Sequence, residues 1–461
     1  MRKDGKRTTA KLTGDMVSHI VRQSLEKGLV TLVFVGSRHE ARRMADRLTA
    51  INPRNPELEE EAKRFLESGV IEHTELTKSL CDLIGHGIAF HHAGLQRAAR
   101  RFVEQLMKDG KLKTVVATTT LSHGIDYRID SVVIDLPGII EIRKIRAYDY
   151  INIMGRTSRP GLSLEANVFI LSESPKVKKV VRTYFFGSPE EVIPENTFDR
   201  ENLALTVLSE AASGSRTERN VLEKLQNTFR SVRTQPSRRE LRKVVAEMSE
   251  LGFLSKTDTL GLTDLGARVL KSNLSTYDAQ KIFGLKPEAS EEDLLNLASS
   301  IDVARRIGSE RRLLRRNACS IIRAFIAEVS LDEIRARFGR TLDDQDIIEL
   351  TEYAARALQK MADLIPDPRL RSIILALHRK VKFGCKDDIS LSELIYLPSI
   401  TWNKNRILAR KLADAGLHNL SDFTSKTAES IARTAGVSVE SAETLLIEAS
   451  CKMQAISPRQ T

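Results

Sequence analysis

Four short apolar runs, rich in β-branched residues, recur along the first part of the chain and constrain its fold more than any other feature. They are Leu29–Val35, Ile88–Phe90, Thr114–Ala117 and Ser131–Leu136. Runs of this length and composition are typical of strands buried on both faces of a parallel sheet. Segments with helical periodicity separate them, so the pattern predicts an α/β domain with right-handed crossover connections.

Polar residues and glycines follow three of these predicted strands. Ligands of α/β sheets bind in the loops at the carboxyl ends of parallel strands, so these residues are candidate contacts for a phosphate or a nucleotide. Ser37 and Arg38, which follow the first strand, also open a predicted helix, and backbone N–H groups at a helix N-terminus favour an anion. The candidates are Ser37 and Arg38 after the first strand, His92 and Gly94 after the second, and Thr118, Thr119, Gly124 and Asp126 after the third.

A turn rich in glycine and proline, at residues 155–161, presents Arg156 and Arg159. Two side chains three residues apart on one helical turn point in the same direction. A planar, permanently charged guanidinium suits a phosphate that gains charge during transfer. An isolated pair of this kind more often binds surface carboxylates. The polar loop just upstream favours the phosphate interpretation here.

Four motifs in this order resemble those of superfamily 2 helicases. Residues 32–38 (Leu-Val-Phe-Val-Gly-Ser-Arg) resemble motif IV, and residues 90–95 (Phe-His-His-Ala-Gly-Leu) resemble the motif that grips the translocated strand. Residues 116–126 (Val-Ala-Thr-Thr-Thr-Leu-Ser-His-Gly-Ile-Asp) resemble motif V, and residues 154–161 (Met-Gly-Arg-Thr-Ser-Arg-Pro-Gly) resemble motif VI. On these motifs the chain is identified as a member of the Ski-like branch. Within that branch it is similar to the archaeal fork-processing DNA helicases related to the polymerase theta helicase domain.

The resemblance implies a role for each motif. The motif VI residues Arg156 and Arg159 would be catalytic and would stabilise the γ-phosphate of ATP. ATP binding is implied for these two arginines together with Gly124, Asp126 and Asn152. Nucleic-acid binding is implied for Ser37, Arg38, His92, Gly94, Thr118 and Thr119.

The resemblance also implies a domain order, with a RecA-like parallel-sheet domain followed by all-α domains. Residues 1–195 would form the second motor domain of a helicase. A winged helix at 196–272, a helical ratchet domain at 273–385, a helix-hairpin-helix domain at 386–455 and a tail at 456–461 would follow. Related helicases carry an unwinding hairpin where this chain has a shorter interval, at 138–147. The first hairpin of the last domain, Ile400–Asn405, lacks the glycines that let backbone amides meet a phosphate.

Two helices of these later domains carry candidate nucleic-acid contacts. Residues Gln345–Ile365 have apolar positions at helical period, and another face carries Tyr353, Arg356 and Lys360. By resemblance this is the ratchet helix, on which the aromatic ring stacks on a base and the basic residues hold phosphates. A half-buried packing role for the tyrosine is the alternative. The helix predicted to start at Ser237 carries a basic face that either contacts nucleic acid or belongs to a domain that braces the motor.

The ATP-binding elements of a first motor domain are not found in this sequence. It contains no Gly-x4-Gly-Lys-Ser/Thr loop, and its one Asp-Glu pair, Asp332-Glu333, lacks the helicase-box context. ATP with Mg²⁺ would therefore be bound mainly by a separate protein that carries the Walker A/DExH RecA-like domain. The chain alone is not expected to hydrolyse ATP.

Composition limits the partners and the compartment. A net charge of +11 favours a polyanionic partner. The four cysteines form no Cys-x-x-Cys pair, and the adjacent His91 and His92 have no further ligand at metal-binding spacing. Neither zinc nor a disulfide framework is therefore expected. No signal peptide and no apolar run of membrane-spanning length is found, which indicates a cytoplasmic protein without a membrane span.

Three functions remain open from the sequence. The first is the C-terminal half of an ATP-dependent 3′-5′ DNA helicase acting on forked or single-stranded DNA in repair or replication. The second is a non-catalytic DNA-binding or regulatory module derived from a helicase. The third is the corresponding half of an RNA helicase. The first is the function expected for this chain.

Overall fold

The computed structural model describes residues 15–68, 70–118, 129–135, 167–171, 199–232, 234–255, 259–301, 312–339, 341–401 and 406–456. They divide into two compact units. The first unit contains the described residues of 1–190, 341–346 and 396–461, and the second contains those of 191–340 and 347–395. The interval 138–147 and most of the Ile400–Asn405 hairpin lie outside the described residues.

A parallel sheet organises the first unit. Its five described strands are β1 Thr31–Phe34, β2 Ile88–His91, β3 Thr114–Ala117, β4 Ser131–Asp135 and β5 Asn167–Leu171. Their order across the sheet is β2-β3-β1-β4-β5. Leu32 of β1 pairs with Val115 on one side and with Val132 on the other, both in parallel. The four predicted strands and the parallel α/β arrangement are confirmed.

The fifth strand is a feature that the sequence analysis does not predict. It pairs with β4 in parallel, with Val132 opposite Val168. Residues of β1, β2 and β3 are buried throughout, whereas those of β5 are only partly buried. The apolar run Val168–Leu171 carries the same signal as the other strands and identifies β5 in retrospect.

Five helices pack with the sheet. They are α1 Met16–Glu26, α2 Arg38–Leu48, α3 Pro56–Glu67, α4 Glu75–Gly85 and α5 Arg97–Lys108. A polar side chain caps each of the first four by accepting a backbone N–H of the first turn, as Ser37 does for α2. α4 begins at Glu75, where Thr74 and Thr77 form a reciprocal capping box.

Aliphatic and aromatic side chains between the sheet and these helices form the core of the first unit. Val33 and Phe34 of β1, Phe90 of β2, Val21 of α1 and Val103 of α5 are fully buried. Burying a side chain of this size contributes about 1.5–3 kcal/mol. The core therefore fixes the relative positions of the strands.

The C-terminal helices belong to the same unit as the sheet. Ser441 Oγ donates to the backbone oxygen of Ser68 at 2.7 Å, which ties the last helix to the end of α3. Gly436 has a φ of +61° and ends one of these helices, a position that favours glycine. The helices are Pro398–Thr401, Arg406–Asp414, Ala428–Ala435 and Val439–Ile456. Their classification as a helix-hairpin-helix domain stays a prediction.

The described residues of the second unit are mainly helical. Ser237 caps one helix by accepting the N–H of Glu240, and the apolar side chains of Leu241, Val244 and Met248 on that helix are buried. An antiparallel bridge joins residues 254 and 262. The winged-helix assignment stays a prediction. The helices are Arg200–Ala212, Glu218–Gln226, Arg238–Glu250, Asp264–Ser272, Thr276–Phe283, Glu291–Ser300, Arg312–Arg316, Ala318–Ile326, Leu331–Phe338, Pro368–Phe383 and Asp387–Ser390.

One further helix, Asp344–Leu364, is the longest described and is called the long helix below. Its residues 344–346 belong to the first unit and the rest to the second. The apolar stripe predicted for it is buried at Ile347, Leu350, Ala354, Leu358 and Met361. Among the described residues, no helix has both the length and the apolar composition to cross a membrane, and no cluster of potential ligands could hold a metal ion.

Candidate functional site

The carboxyl ends of β1, β2 and β3 bring several predicted site residues to one edge of the sheet. Val35, after β1, donates its N–H to the backbone oxygen of Ala117 at the end of β3. Thr118, after β3, donates its N–H to the oxygen of His91 at the end of β2. Ser37 uses its side chain to cap α2, accepting the Glu40 N–H at 3.1 Å. These strand ends are therefore adjacent, as the sequence predicts.

Arg38 is engaged by two carboxylates at this edge. Its Nη1 donates to Asp346 Oδ2 at 2.7 Å and to Asp343 Oδ2 at 3.0 Å. Arg42, one helical turn later, donates from Nη2 to Asp343 Oδ1 at 3.4 Å. Burial alone would lower the pKa of Arg38, but the two carboxylates outweigh it and raise that pKa above its ordinary value. The guanidinium is therefore fully charged and paired.

His92 is buried and electrically neutral. Its Nδ1 accepts the backbone N–H of Gly94 at 3.1 Å, so the ring proton is on Nε2. Burial, reinforced by the positive charges of Arg38 and Arg42, holds the His92 pKa well below its usual range. A neutral imidazole at this position supports the loop after β2 and adds no positive charge to the edge.

The Asp343 side chain leaves no room for a β-carbon at Gly94. A Cβ placed on it would lie 2.6 Å from the Cβ of Asp343 and closer still to a carboxylate oxygen. Real Cβ atoms do not approach other atoms so closely, so any other residue would displace Asp343. The resemblance to helicases implies that a glycine at this position lets the backbone approach a phosphate closely. The structure has a carboxylate in close approach to it.

The acidic residues that reach this edge come from residues 341–346, which the sequence analysis does not single out. Asp344 accepts from Thr74 Oγ1 at 2.6 Å and from Gln96 Nε2 at 3.1 Å. The N–H of Gln345 donates to the backbone oxygen of Gly94 at 3.0 Å. Three aspartates within four residues, at 343–346, are the sequence signal that identifies this segment in retrospect.

A buried polar network continues from this segment to the C-terminal helices. The Gln96 side chain exchanges hydrogen bonds with the backbone of Glu72, at 2.8 and 3.1 Å. The Glu72 carboxylate in turn accepts from Nε and Nη2 of Arg406, at 3.0 and 3.1 Å. Arg406 is the largest fully buried side chain in the part of the chain that the structure describes. Its two parallel bonds form a bidentate pair, which is a rigid arrangement.

The predicted nucleic-acid contacts of the long helix lie together on one face of it. The Arg356 guanidinium carbon is 4.8 Å from the centre of the Tyr353 ring. Tyr353 is half-buried and Arg356 is exposed. Lys360 donates to the backbone oxygen of Asn273 at 3.4 Å. The spacing of these three residues agrees with the predicted face, and their roles stay predictions.

The predicted ATP-binding and catalytic residues are not among the described residues. This applies also to one predicted nucleic-acid contact in the loop after β3. The residues concerned are Thr119, Gly124, Asp126, Asn152, Arg156 and Arg159.

The family model and the curated relatives that match this chain are all described as helicases. Residues 58–161 match the family described as "Helicase conserved C-terminal domain". The ATP-dependent DNA helicase Hel308 of Thermoplasma volcanium is 24% identical over 437 residues, which is 88% of this chain and 62% of that protein. Hel308 of Pyrobaculum calidifontis is also 24% identical, over 97% of this chain and 68% of that protein. The chain thus spans roughly two thirds of the length of these curated relatives.

Among solved structures, the DUF1998 helicase MrfA bound to DNA aligns with 53% of this chain and 29% of its own. The TM-score is 0.35 at 15% sequence identity.

Proposed function

We propose, from the premise that the chain belongs to the Ski-like branch of the superfamily 2 helicases, that it contributes the second motor domain and the strand-binding domains of an ATP-dependent DNA helicase. The DNA would be single-stranded or forked, and movement would be 3′ to 5′. The observation that supports this most directly is the shared edge at the ends of β1, β2 and β3. There, residues of three helicase-like motifs, including Arg38, Gly94 and Thr118, follow adjacent strands of a parallel sheet.

The ATP-directed residues of this sequence include two cations, Arg156 and Arg159. Arg156 and Arg159 fit the γ-phosphate, where charge builds up during transfer. No lysine-bearing phosphate loop is present in these 461 residues. Cradling the β- and γ-phosphates and holding Mg²⁺ are therefore assigned to a Walker A/DExH domain outside them. When bound there, ATP supplies the free energy of phosphoryl transfer.

The first test measures ATP turnover by the full chain combined with a RecA-like domain that carries Walker A. An arginine that stabilises the transferring phosphate is worth roughly 10³–10⁵ in rate. We therefore expect Arg156→Ala to reduce DNA-stimulated turnover by at least about a thousandfold. The control is Arg219→Ala, since that side chain is 83% exposed and pairs with Glu223 on its own helix. It should leave turnover unchanged.

Two results would contradict this proposal. One is equal turnover by Arg156→Ala and the unmodified chain in the combined system. The other is ATP hydrolysis by the 461-residue chain without any partner. Loss of turnover only in the Arg156 variant supports the assignment.

A non-catalytic DNA-binding module is the second candidate. It is favoured by Asn152 and Ser158, at positions where the family tends to have glutamine and glycine. Affinity for forked DNA that responds neither to ATP nor to the Walker A partner would support this candidate over the motor. An RNA preference is tested by comparing single-stranded RNA and DNA at one fixed salt concentration, because phosphate binding depends steeply on salt.

A further inference from the structure

Asp343 lies against three residues that the motifs assign to nucleic-acid binding. Its carboxylate accepts from Arg38 at 3.0 Å and lies 3.9 Å from Nδ1 of His92. It also packs on Gly94 so closely that no β-carbon fits there. A carboxylate and a phosphate oxygen are both anionic acceptors for a guanidinium. Asp343 therefore offers Arg38 the interaction that a strand phosphate would offer.

We propose that residues 341–346, here called the acidic strap, compete with the phosphates of a single strand for Arg38, so that strand binding displaces the carboxylates of Asp343 and Asp346. The inference rests on the proposed function, because it describes how the strand-binding edge of that motor domain is regulated.

The charge balance at the edge supports competition. Arg38 and Arg42 carry two positive charges, and Asp343 and Asp346 bring two carboxylates to them. The neighbouring His92 is neutral. With the strap in place the edge offers a phosphate little net attraction, whereas without it two guanidiniums are available. A strand that displaces the strap replaces one set of anions by another at the same arginines.

Accessibility also supports exchange. The Arg38 side chain is 24% exposed, so a strand phosphate can reach it, whereas Asp343 is 1% exposed. Among the described residues, the hydrogen bonds of Arg38 to the strap all leave from Nη1. A phosphate can therefore approach the other guanidinium nitrogens before the carboxylates leave, which provides a route for stepwise replacement.

A second set of contacts ties the strap to the same edge of the sheet while its carboxylates bind Arg38. Asp344 accepts from Thr74 and Gln96, and the Gln345 N–H donates to the Gly94 oxygen. Residues 344–346 are also the first turn of the long helix, which carries the predicted base-stacking Tyr353. Displacement at Arg38 therefore changes the start of a helix that is itself expected to hold the strand.

A positioning role predicts the opposite behaviour. If the carboxylates only hold Arg38 in the correct orientation for a phosphate, their removal weakens strand binding. The sign of the change in affinity therefore separates the two roles.

The test measures binding of the full chain to a fluorescent oligo-dT at fixed low salt. Asp343→Asn keeps the side-chain shape and removes the charge, so competition predicts about tenfold tighter binding. It also predicts that affinity falls more steeply with salt concentration, by about the slope that one additional phosphate contact gives. The control is Asp82→Asn, which makes the same charge change near the far end of α4, where Asp82 pairs with Arg54. It should alter affinity less than about twofold.

The double variant Arg38→Gln/Asp343→Asn shows whether the gain acts through this arginine. Competition predicts that the tighter binding disappears in it. A measurement on the unmodified chain avoids dependence on folding of the variants. Saturating oligo-dT should increase amide hydrogen exchange in a peptide containing Gln345, because its bond to the Gly94 oxygen loosens with the strap.

Each outcome either supports or overturns competition between the strap and a strand phosphate for Arg38. Tighter binding by Asp343→Asn that the double variant abolishes, with faster exchange in the strap, supports competition. If the unmodified chain binds oligo-dT and Asp343→Asn binds it with equal or lower affinity, competition by the strap is overturned. The proposed function then remains intact. Unchanged or slower exchange on binding also overturns the strap. If none of the proteins binds oligo-dT, both the strap and the proposed function are overturned.

Discussion

Arg406 and Arg38, two of the arginines in the first unit that bind carboxylates, differ in a way that separates a structural contact from an exchangeable one. Arg406 is 1% exposed and uses Nε and Nη2 to bind both oxygens of Glu72. Arg38 is 24% exposed and uses Nη1 alone to bind Asp343 and Asp346. We call the buried, bidentate pair of Arg406 and Glu72 the closed pair. The partly exposed contact of Arg38 with Asp343 and Asp346 is called the open pair.

The closed pair commits its arginine, whereas the open pair does not. A bidentate, desolvated guanidinium cannot exchange its partner without leaving a buried charge behind. A partly exposed guanidinium can take a new anion while it releases the old one. Residue type alone therefore does not reveal which arginine binds a ligand. Exposure and the number of nitrogens already used distinguish the two.

The largest expected effect concerns the stability of the closed pair. Arg406→Ala leaves the Glu72 carboxylate without its guanidinium, and breaking a buried pair costs about 3–5 kcal/mol. Arg38→Ala should cost less, about 1–3 kcal/mol, because Asp343 keeps Arg42 as a partner. Urea denaturation followed by fluorescence of the single tryptophan, Trp402, measures both. Equal losses in the two variants would remove the distinction between the pairs.

A smaller effect is expected where the open pair meets Gly94. In Gly94→Ala the new methyl group collides with Asp343, and overpacking of this kind costs about 1–3 kcal/mol. Asp343→Gly in the same chain removes the colliding side chain, so the double variant should regain part of the lost free energy of unfolding. Gly284→Ala is the control, since the nearest atoms to its Cβ are at 3.5 Å. A Gly94→Ala variant as stable as the control would contradict the close contact.

The smallest effect is a pH dependence of stability. The His92 pKa is well below its ordinary value of 6.5 in the folded chain, owing first to burial and then to Arg38 and Arg42. Below pH 6.5 the unfolded chain therefore binds a proton that the folded chain does not. This contribution to stability is present above pH 6.5 and is lost as the pH falls, by at most about 1.4 kcal/mol per pH unit.

His92→Gln should remove this part of the pH dependence. The measurement is the free energy of unfolding of both proteins at several pH values from about 5 to 7. His378 in the second unit is the matched comparison, because its pKa is also lowered, with burial as the main cause. Parallel pH profiles for His92→Gln and the unmodified chain would show that folding does not lower the His92 pKa, contrary to its burial beside Arg38 and Arg42.

Local patterns in the sequence determined the elements of the fold. Buried parallel strands need continuous apolar runs. The four runs singled out in the sequence correspond to β1, β2, β3 and β4. The long helix buries its predicted apolar stripe because helical periodicity places those residues on one face. Ser37 caps α2 because a side-chain oxygen just before a helix satisfies an N–H of its first turn. The edge that gathers Arg38, Gly94 and Thr118 follows from parallel topology.

The partners of these residues were decided by tertiary structure alone. Sequence reasoning identified Gly94 as a point of close approach, and only the fold put Asp343 there. Arg38 and Asp343 are 305 positions apart, and Arg406 and Glu72 are 334 apart. Periodicity and capping report only on neighbours within a few residues, because they act through one turn or one strand. Contacts across hundreds of residues depend on how separate elements pack, and a single sequence carries no local signal for them.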